Sequence, residues 1–242
     1  MFEKVTIVIG ATDESSSLVK IVESIADACD ISDIESVLIV IPANAEKQCV
    51  DTIALLEEKY PYLVKHFVQR NPYIGGALRD SVEETVSSHI MFFTADIPVG
   101  LESIPTMIKL SKRSPEKIIK ISRWLEKDSF FGYNRVRLVF NFFAQKLLKV
   151  LFLSPLTDFT SPVLIAPTDI YRNIKFREWN FPCLLEAVLV PVRMKLEIEE
   201  FPAKCYPREE GKSKNSVWQT LLYLKTAFRI RFTPKKKLYK IH

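Results

Sequence analysis

The stretch Ile90-Met91-Phe92-Phe93-Thr94-Ala95-Asp96 changes from apolar to polar within seven residues. A short, uninterrupted apolar run is typical of a strand buried on both faces of a parallel sheet. Thr94 and Asp96 are then expected at the carboxyl edge of that sheet, where α/β folds bind ligands. Because Mg²⁺ or Mn²⁺ takes one or two carboxylates together with substrate phosphates, Asp96 is a candidate metal ligand. Its alternative role is to cap the helix that we predict to start near Leu101, or simply to end the strand.

Alternating strand and helix patterns surround this stretch. Apolar runs separated by amphipathic helices predict a mostly parallel sheet with helices on both faces and right-handed crossovers. We therefore predict a single α/β domain with a Rossmann-like sheet. The predicted strands are residues 5–9, 37–41, 63–68, 90–93, 118–122 and 195–201, and the predicted helices are residues 18–25, 46–59, 77–86, 134–153 and 216–228.

Composition limits the class of protein. A chain of 242 residues with 48% hydrophobic residues can bury one large core and is not disordered in composition. Its four cysteines form no CxxC pair, which argues against a zinc or redox motif and favours free thiols in a reducing compartment. The first apolar run, residues 5–11, is too short for a secretory signal, so we expect a cytoplasmic protein.

Basic side chains are concentrated towards the end of the sequence. The net charge is only +5, but residues 229–242 carry six Lys and Arg side chains and no acid. Such a tail attracts an anionic membrane surface or nucleic acid by the same Coulomb force, and a solvated terminus is the third interpretation. A basic nucleic-acid-binding protein is therefore one alternative for the whole chain, although no recognised binding motif supports it.

The predicted helix at residues 134–153 is apolar around most of its circumference. Asn141, Gln145 and Lys149 recur every four residues and form a narrow polar stripe. Lysines interrupt the apolar run, which falls short of the roughly 20 residues needed to span a bilayer. Two placements remain open, because the apolar face is either buried in the core or inserted in a membrane interface.

Two further segments have the composition of ligand-binding loops. Gly75-Gly76 precedes a predicted helix, and a backbone without Cβ atoms there allows a ligand to approach the helix N-terminus. A later loop contains Arg208, Ser213 and Lys214, which can bind diphosphate oxygens by a bidentate fork, a hydrogen bond and a point charge. A solvated surface loop is the alternative for this charged segment.

Taken in order, these segments resemble the family-2 glycosyltransferases of the GT-A fold, most closely the polyprenyl-phosphate sugar transferases of the dolichyl-phosphate mannose synthase type. The resemblance covers about residues 5–215. Its motifs are the first turn at residues 10–14, the Gly-rich segment at 71–79, Thr94-Ala95-Asp96 for the family's Asp-Ala-Asp, Ser122-Arg123, Asp158-Phe159-Thr160-Ser161 for Asp-x-Thr-Ser, and Glu200-Phe201-Pro202 leading to Arg208, Gly211, Ser213 and Lys214.

The resemblance implies an inverting glycosyltransferase that uses a nucleotide sugar and a lipid-linked, polyprenyl-phosphate-like acceptor. Asp96 is then the ligand of Mg²⁺ or Mn²⁺, while Arg208 and Lys214 stabilise the departing diphosphate. An ionised acceptor phosphate attacks directly and needs no strong base. The residues implied to bind the donor are Gly10, Ala11, Thr12, Asp13, Glu14, Asn71, Gly75, Gly76, Arg79, Thr94 and Ser213, and those implied to bind the acceptor are Arg123, Arg135, Asp158, Thr160 and Ser161.

The same resemblance divides the chain into a catalytic domain, residues 1–228, and a basic tail, residues 229–242. Residues 1–115 form the nucleotide-sugar half, and residues 116–228 form the acceptor half with the amphipathic helix 134–153. Together the helix and the tail imply a peripheral protein on the cytoplasmic face of a membrane, with no nucleic-acid partner.

The chain differs from the family's pattern at several places. Gly10 and Asp13 stand where the family's first turn has Pro and Asn, and Pro98 stands where related synthases often have a polar ligand. Ile41-Pro42 stands where the family has paired aspartates, and Thr94 stands where it has the first acid of the metal motif. These differences leave a second interpretation open: a noncatalytic or altered member of the same fold, which binds a ligand or partner without turnover.

Overall fold

A seven-stranded sheet is the centre of the computed structural model, which describes residues 1–96, 99–207 and 217–240. In chain order its strands are β1 (Val5–Gly10), β2 (Ile34–Ile41), β3 (Val64–Val68), β4 (His89–Thr94), β5 (Ile118–Ser122), β6 (Leu164–Pro167) and β7 (Ile198–Pro202). They lie in the order β3-β2-β1-β4-β6-β5-β7, and β6 runs antiparallel to both of its neighbours. All other pairs are parallel, which confirms the predicted mostly parallel sheet.

Helices cover both faces of this sheet, as the alternating pattern predicted. They are α1 (Ser16–Ala28), α2 (Lys47–Lys59), α3 (Tyr73–Glu84), α4 (Ser103–Arg113), α5 (Arg135–Phe152), α6 (Thr168–Asn173), α7 (Pro182–Met194) and α8 (Val217–Phe232). One apolar core joins α1, α2 and α4 to the sheet, and a second core joins the remaining helices to the other face. Ile7 and Val8 of β1 belong to different cores, because successive side chains of a strand point to opposite faces.

Three elements, β6, α6 and α7, were missing from the sequence interpretation. β6 has only four residues, and it ends at Pro167. The side chains of α7 are buried around most of its circumference, and Pro191 lies inside it. A helix without a polar face has no amphipathic period, so its sequence pattern does not distinguish it from a buried strand.

The orientation of α5 argues against one of the two placements left open for residues 134–153, burial of the apolar face in the core. Gln145 is buried, where its Nε2 donates to Thr160 Oγ1 at 2.8 Å and its Oε1 accepts from the Phe159 amide at 2.8 Å. Gln145 also donates to Asn141 Oδ1 at 2.8 Å, so these two residues of the polar stripe face the protein, whereas Lys149 is exposed. Most of its apolar side chains point outward, whereas Leu148 is buried and Leu151 and Phe152 pack, partly buried, against the second core. Those exposed at α5 and its end are Val136, Val139, Phe140, Phe142, Phe143, Leu147, Val150 and Leu153.

The chain after position 228 is packed against the domain, although Lys236, Lys237 and Lys240 are exposed. Arg229 belongs to α8, so the tail predicted to begin there starts inside a helix. The Nη2 atom of Arg229 is 2.5 Å from Glu186 Oε1 and 3.1 Å from Glu178 Oε1. Leu238 is buried in the same core as α8. In the described part of the chain, no helix has the length and apolar character needed to cross a membrane.

Candidate functional site

The carboxyl ends of β1, β2 and β4 meet at one edge of the sheet. Gly10, the last residue of β1, pairs with Val40 of β2 on one side and with Thr94 of β4 on the other. The turns that follow these strands therefore border one crevice, at the point where the strand order reverses and α/β folds bind ligands. A Cβ atom added to Gly10 would meet no atom within 4 Å, so space is open at this position.

Asp96 and Thr94 lie at the β4 side of this crevice. Asp96 is largely buried just past the strand, and the buried Thr94 Oγ1 has no hydrogen-bond partner. An orphaned buried hydroxyl costs stability, which suits a position whose partner comes with a ligand. Within residues 1–96, 99–207 and 217–240, no group of three or more His, Cys, Asp or Glu side chains is arranged to hold a metal. Mg²⁺ commonly takes only one or two carboxylates from a protein and its other ligands from substrate phosphates and water, so Asp96 alone suits such a cation.

The first turn is stabilised by its own glutamate. Glu14 Oε2 accepts hydrogen bonds from the amides of Thr12 at 2.8 Å and Asp13 at 3.3 Å. The carbonyl of Thr12 accepts from the Glu46 amide at 2.8 Å, which ties this turn to the start of α2. Glu14 therefore shapes the turn, whereas we predicted that it binds the donor, and Asp13 beside it is exposed.

The two glycines of α3 are packed against the protein's own backbone. A Cβ atom on Gly75 would lie 2.6 Å from the Glu178 and Trp179 backbone, and one on Gly76 would lie 2.2 Å from the Asn71 carbonyl oxygen. Gly75 also donates its amide to Trp179 O at 2.7 Å. The prediction that these glycines allow a ligand to approach is corrected, because internal backbone occupies that space.

Gly75→Ala is expected to lower the free energy of unfolding by about 1–3 kcal/mol, because the new methyl group overlaps rigid backbone. Urea unfolding of the purified protein measures the change. Gly10→Ala is the matched control, since its methyl group enters open space, and we expect that variant to unfold like the wild type. Equal stability of both variants would show that the chain around Trp179 does not pack as described.

Arg79 is held by the same segment and does not face the crevice as a free cation. Its Nη1 donates to Gly75 O at 2.7 Å and to Glu178 O at 2.9 Å. Its guanidinium carbon lies 4.0 Å from the centre of the Trp179 ring, a cation–π distance. Burial lowers the pKa of Arg79. Arg79 therefore positions residues 178–179, in contrast to the donor-binding role that we predicted.

Asn71 is fixed by Asp80, a buried residue that the sequence interpretation missed. The two carboxylate oxygens of Asp80 accept from the Asn71 amide at 2.9 Å and the Asn71 side chain at 2.6 Å. The Arg70 amide donates to the same carboxylate at 2.6 Å. This arrangement fixes the loop between β3 and α3 at the carboxyl edge of the sheet, and Asn71 with it.

Arg123 and Asp158 form a buried, bidentate ion pair. Arg123 Nε lies 2.6 Å from Asp158 Oδ2, and Arg123 Nη2 donates to Asp158 Oδ1 at 2.9 Å and to Thr160 Oγ1 at 2.8 Å. The amide of Ser161 donates to Asp158 Oδ1 at 3.1 Å. We predicted that these four residues bind the acceptor. The structure instead commits their polar groups to one another, because a buried charge needs a partner.

Two more charged residues complete this arrangement. Glu200 accepts hydrogen bonds from the amides of Thr157 at 2.7 Å and Asp158 at 2.9 Å. Lys120 of β5 is fully buried, and burial lowers its pKa to about 8 although Asp158 and Glu200 act to raise it. Glu200 had a signal in the sequence, since it begins the Glu-Phe-Pro motif. No sequence signal pointed to Lys120, because it stands inside an apolar strand.

The remaining predicted residues divide into two groups. Arg135 is exposed in the first turn of α5 and stays a candidate for the acceptor phosphate. Arg208, Ser213 and Lys214 lie outside the described residues, so their predicted contacts with the diphosphate remain predictions.

No protein-family model matches this chain, and no curated protein matches it in sequence. Its structure is similar to solved structures of glucosyl-3-phosphoglycerate synthase from Mycobacterium tuberculosis. The complex with Mn²⁺, uridine diphosphate and glucosyl-3-phosphoglycerate has a TM-score of 0.68 and 14% sequence identity, over 96% of this chain and 81% of that chain. The complex with Mg²⁺ and uridine diphosphate has a TM-score of 0.69 and 15% identity, over 96% and 80%.

A third complex of the same synthase contains Mn²⁺, UDP-glucose and phosphoglyceric acid. It has a TM-score of 0.66 and 14% identity, over 96% of this chain and 81% of that chain. Similarity at this level of identity shows the fold. The chain therefore has the predicted GT-A fold, with the strand order and the single antiparallel strand given above.

Proposed function

We propose that this protein is a glycosyltransferase that uses a nucleotide sugar and a divalent cation. The observation that carries the proposal is the position of Asp96, at the β4 side of the crevice in a GT-A fold. Solved structures with this fold hold uridine diphosphate together with Mn²⁺ or Mg²⁺. Such a cation, bound by Asp96 and by the donor's phosphates, neutralises charge on the departing diphosphate.

The residues of the crevice are proposed to bind and orient the substrates. Gly10 leaves space for the donor, and Asp80 fixes the loop that borders it. Arg135 is proposed to bind the acceptor phosphate, and Arg208 and Lys214 to stabilise the leaving diphosphate. An ionised acceptor phosphate is proposed to attack the anomeric carbon directly, so it needs no general base. Its bond forms on the face opposite the bond to the departing diphosphate, and this single displacement inverts the centre.

We further propose a lipid-linked phosphate acceptor, of the polyprenyl-phosphate kind, at the cytoplasmic face of a membrane. The support is the outward apolar face of α5, where Phe140 is 70% exposed and Phe143 is 63% exposed. Each large apolar side chain transferred from water to hydrocarbon contributes about 1.5–3 kcal/mol. An apolar helix face of this size, rimmed by polar residues, is typical of a membrane or protein contact. A soluble acceptor such as phosphoglycerate needs no such face.

Phe140→Ser/Phe143→Ser is expected to reduce sedimentation with phospholipid vesicles at least about tenfold, because two inserted side chains become polar. The rate of sugar transfer to a polyprenyl phosphate embedded in vesicles should fall together with vesicle binding, while affinity for the nucleotide stays unchanged. Sedimentation, a transfer assay with labelled donor, and thermal unfolding measure these quantities.

The matched control replaces two exposed apolar side chains on other parts of the fold. Leu55 is 66% exposed on α2 and Val86 is 79% exposed after α3, so Leu55→Ser/Val86→Ser leaves α5 intact. The control should sediment like the wild type. If the α5 variant is folded and still sediments like the wild type, α5 is not the membrane contact and the lipid acceptor loses its support.

A further inference from the structure

A cleft lies where the ends of α5, α7 and α8 meet, separate from the crevice. Its volume is ≈ 350 Å³, within the range of small-ligand pockets. Ile198 lines it and is the first residue of β7, a strand that runs parallel to β5. The cleft therefore lies near the amino edge of the sheet, whereas the crevice lies at the carboxyl edge. We refer to it as the α5-end cleft, and its lining includes Leu153, Arg193, Lys195 and Arg231.

The lining of the α5-end cleft carries unneutralised positive charge. Among the described residues that line it, Arg193, Lys195 and Arg231 are the only charged ones. No ion pair joins any of the three to a carboxylate in residues 1–96, 99–207 and 217–240. Three cations around one small cavity, with no acid in its described lining, favour an anionic occupant.

Backbone carbonyls hold the two guanidinium groups in place. Arg193 Nε donates to Arg231 O at 3.1 Å, and Arg231 Nε donates to Leu151 O at 2.6 Å. The second bond satisfies a carbonyl in the last turn of α5, which has no partner within the helix. Anchored in this way, each guanidinium loses less rotational freedom when it binds a phosphate, and its planar fork matches phosphate oxygens.

The α5-end cleft continues into the exposed apolar face of α5. Leu153 lines the cleft and is 81% exposed, and Val150 on α5 and Phe232 on α8 are also exposed. Leu153 has a φ of 51°, a left-handed conformation that favours glycine at a helix end. Leucine in this conformation strains the backbone, and its exposed side chain gains no burial to offset that strain. Inorganic phosphate would use the cations alone, whereas a phospholipid would use both the cations and this apolar rim.

We propose that the α5-end cleft binds the phosphate of an anionic phospholipid headgroup while the apolar face of α5 lies among the acyl chains. The proposal rests on the membrane location proposed above. Basic pockets between helices suit acidic headgroups. Because the α5-end cleft and the crevice lie at opposite edges of the sheet, headgroup binding holds the far end of α5 at the bilayer surface.

Arg193→Gln/Lys195→Gln tests the proposal by vesicle sedimentation. The wild type should bind vesicles of phosphatidylcholine with phosphatidylglycerol more tightly than vesicles of phosphatidylcholine alone. The variant should lose about tenfold or more of its affinity for the anionic vesicles and keep its affinity for the neutral ones. Lys65→Gln/Lys109→Gln is the control of equal charge, because both lysines are exposed on other elements, and it should lose much less.

Three outcomes would overturn the proposal. The first is an equal loss of affinity for anionic vesicles in the cleft variant and the control, and the second is no preference of the wild type for anionic vesicles. The third is full reversal of vesicle binding by soluble glycerol phosphate, which would indicate a site for small phosphates. Lys195→Gln alone, with thermal unfolding as a check, covers the case in which the double variant misfolds. If only this proposal fails, the cleft variant and the wild type still bind nucleotide. If the proposed function fails, the wild type itself binds no nucleotide, so the two failures are distinguishable.

Discussion

Asp158→Asn is expected to lower the free energy of unfolding by about 3–5 kcal/mol, because it leaves the buried Arg123 without its counter-charge. The pair is bidentate, with Nε–Oδ2 and Nη2–Oδ1 distances of 2.6 and 2.9 Å. The neutral amide also keeps only one acceptor oxygen. It cannot accept both from the amides of Thr160 and Ser161, which donate to Asp158 Oδ1, and from the Arg123 amide and Nε, which donate to Oδ2. Urea unfolding of variant and wild type in the same buffer measures the loss.

Asp169→Asn is the control for this prediction. It makes the same chemical change in a surface pair, since the Asp169 side chain is 81% exposed where it meets Arg172. Exposed pairs contribute about 0–1 kcal/mol, so this variant should unfold nearly like the wild type. A loss for Asp158→Asn no larger than that of the control would show that the buried pair does not stabilise the domain.

The pH dependence of stability provides a second readout of the same pair. Burial alone would raise the pKa of Asp158, but the charges of Arg123 and Lys120 hold that pKa well below its usual range. Since the folded-state pKa is depressed, the pair's contribution is fully present above about pH 4 and is lost as the pH falls further. Asp158→Asn should therefore unfold with a weaker acid dependence than the wild type.

Asp96→Asn is expected to lower turnover by about 10²–10³-fold or more and to remove the effect of Mn²⁺ on nucleotide affinity. The change keeps the side chain's size and removes the charge that the proposed cation requires. Asp51→Asn is the control, because Asp51 pairs only with Lys47 on the surface of α2 among the contacts described. Unchanged turnover in a folded Asp96→Asn protein would remove Asp96 from the proposed metal site.

The sequence was sufficient for most of the sheet and not for the elements that join its second half. Strands such as β1 and β4 are uninterrupted apolar runs between amphipathic helices, a pattern that few other arrangements produce. α7 escaped prediction because its burial removes the helical period, and β6 because four residues are too few to show any period. The antiparallel direction of β6 follows from long-range packing, which no local pattern records.

The roles of site residues were harder to predict than their positions. Arg79 and Arg123 carry the right chemistry for binding phosphate, but their partners lie 99 and 35 residues away in the chain, at Glu178 and Asp158. Motif spacing does not show such partners. The prediction for Gly75 was wrong for a related reason, because a position without a Cβ atom allows close packing of the protein's own backbone as well as approach of a ligand.

The amphipathic pattern of α5 was interpreted correctly, although it left the helix's orientation undetermined. Helical spacing identifies an apolar and a polar face, but not which of them the protein covers. Gln145 decides the matter, since its hydrogen bonds to Phe159 and Thr160 require the polar face to point inward. Its partners follow α5 in the chain, so only the folded structure shows that the apolar face is exposed.

Calorimetric titration with UDP, GDP and their common sugar derivatives, with and without Mn²⁺, tests the proposed donor site most directly. We expect saturable binding of one nucleotide class that Mn²⁺ strengthens in the wild type, and no effect of Mn²⁺ on the remaining binding in Asp96→Asn. If no nucleotide binds under either condition, the protein is a noncatalytic member of the fold or uses another donor, and Asp96 is not a metal ligand.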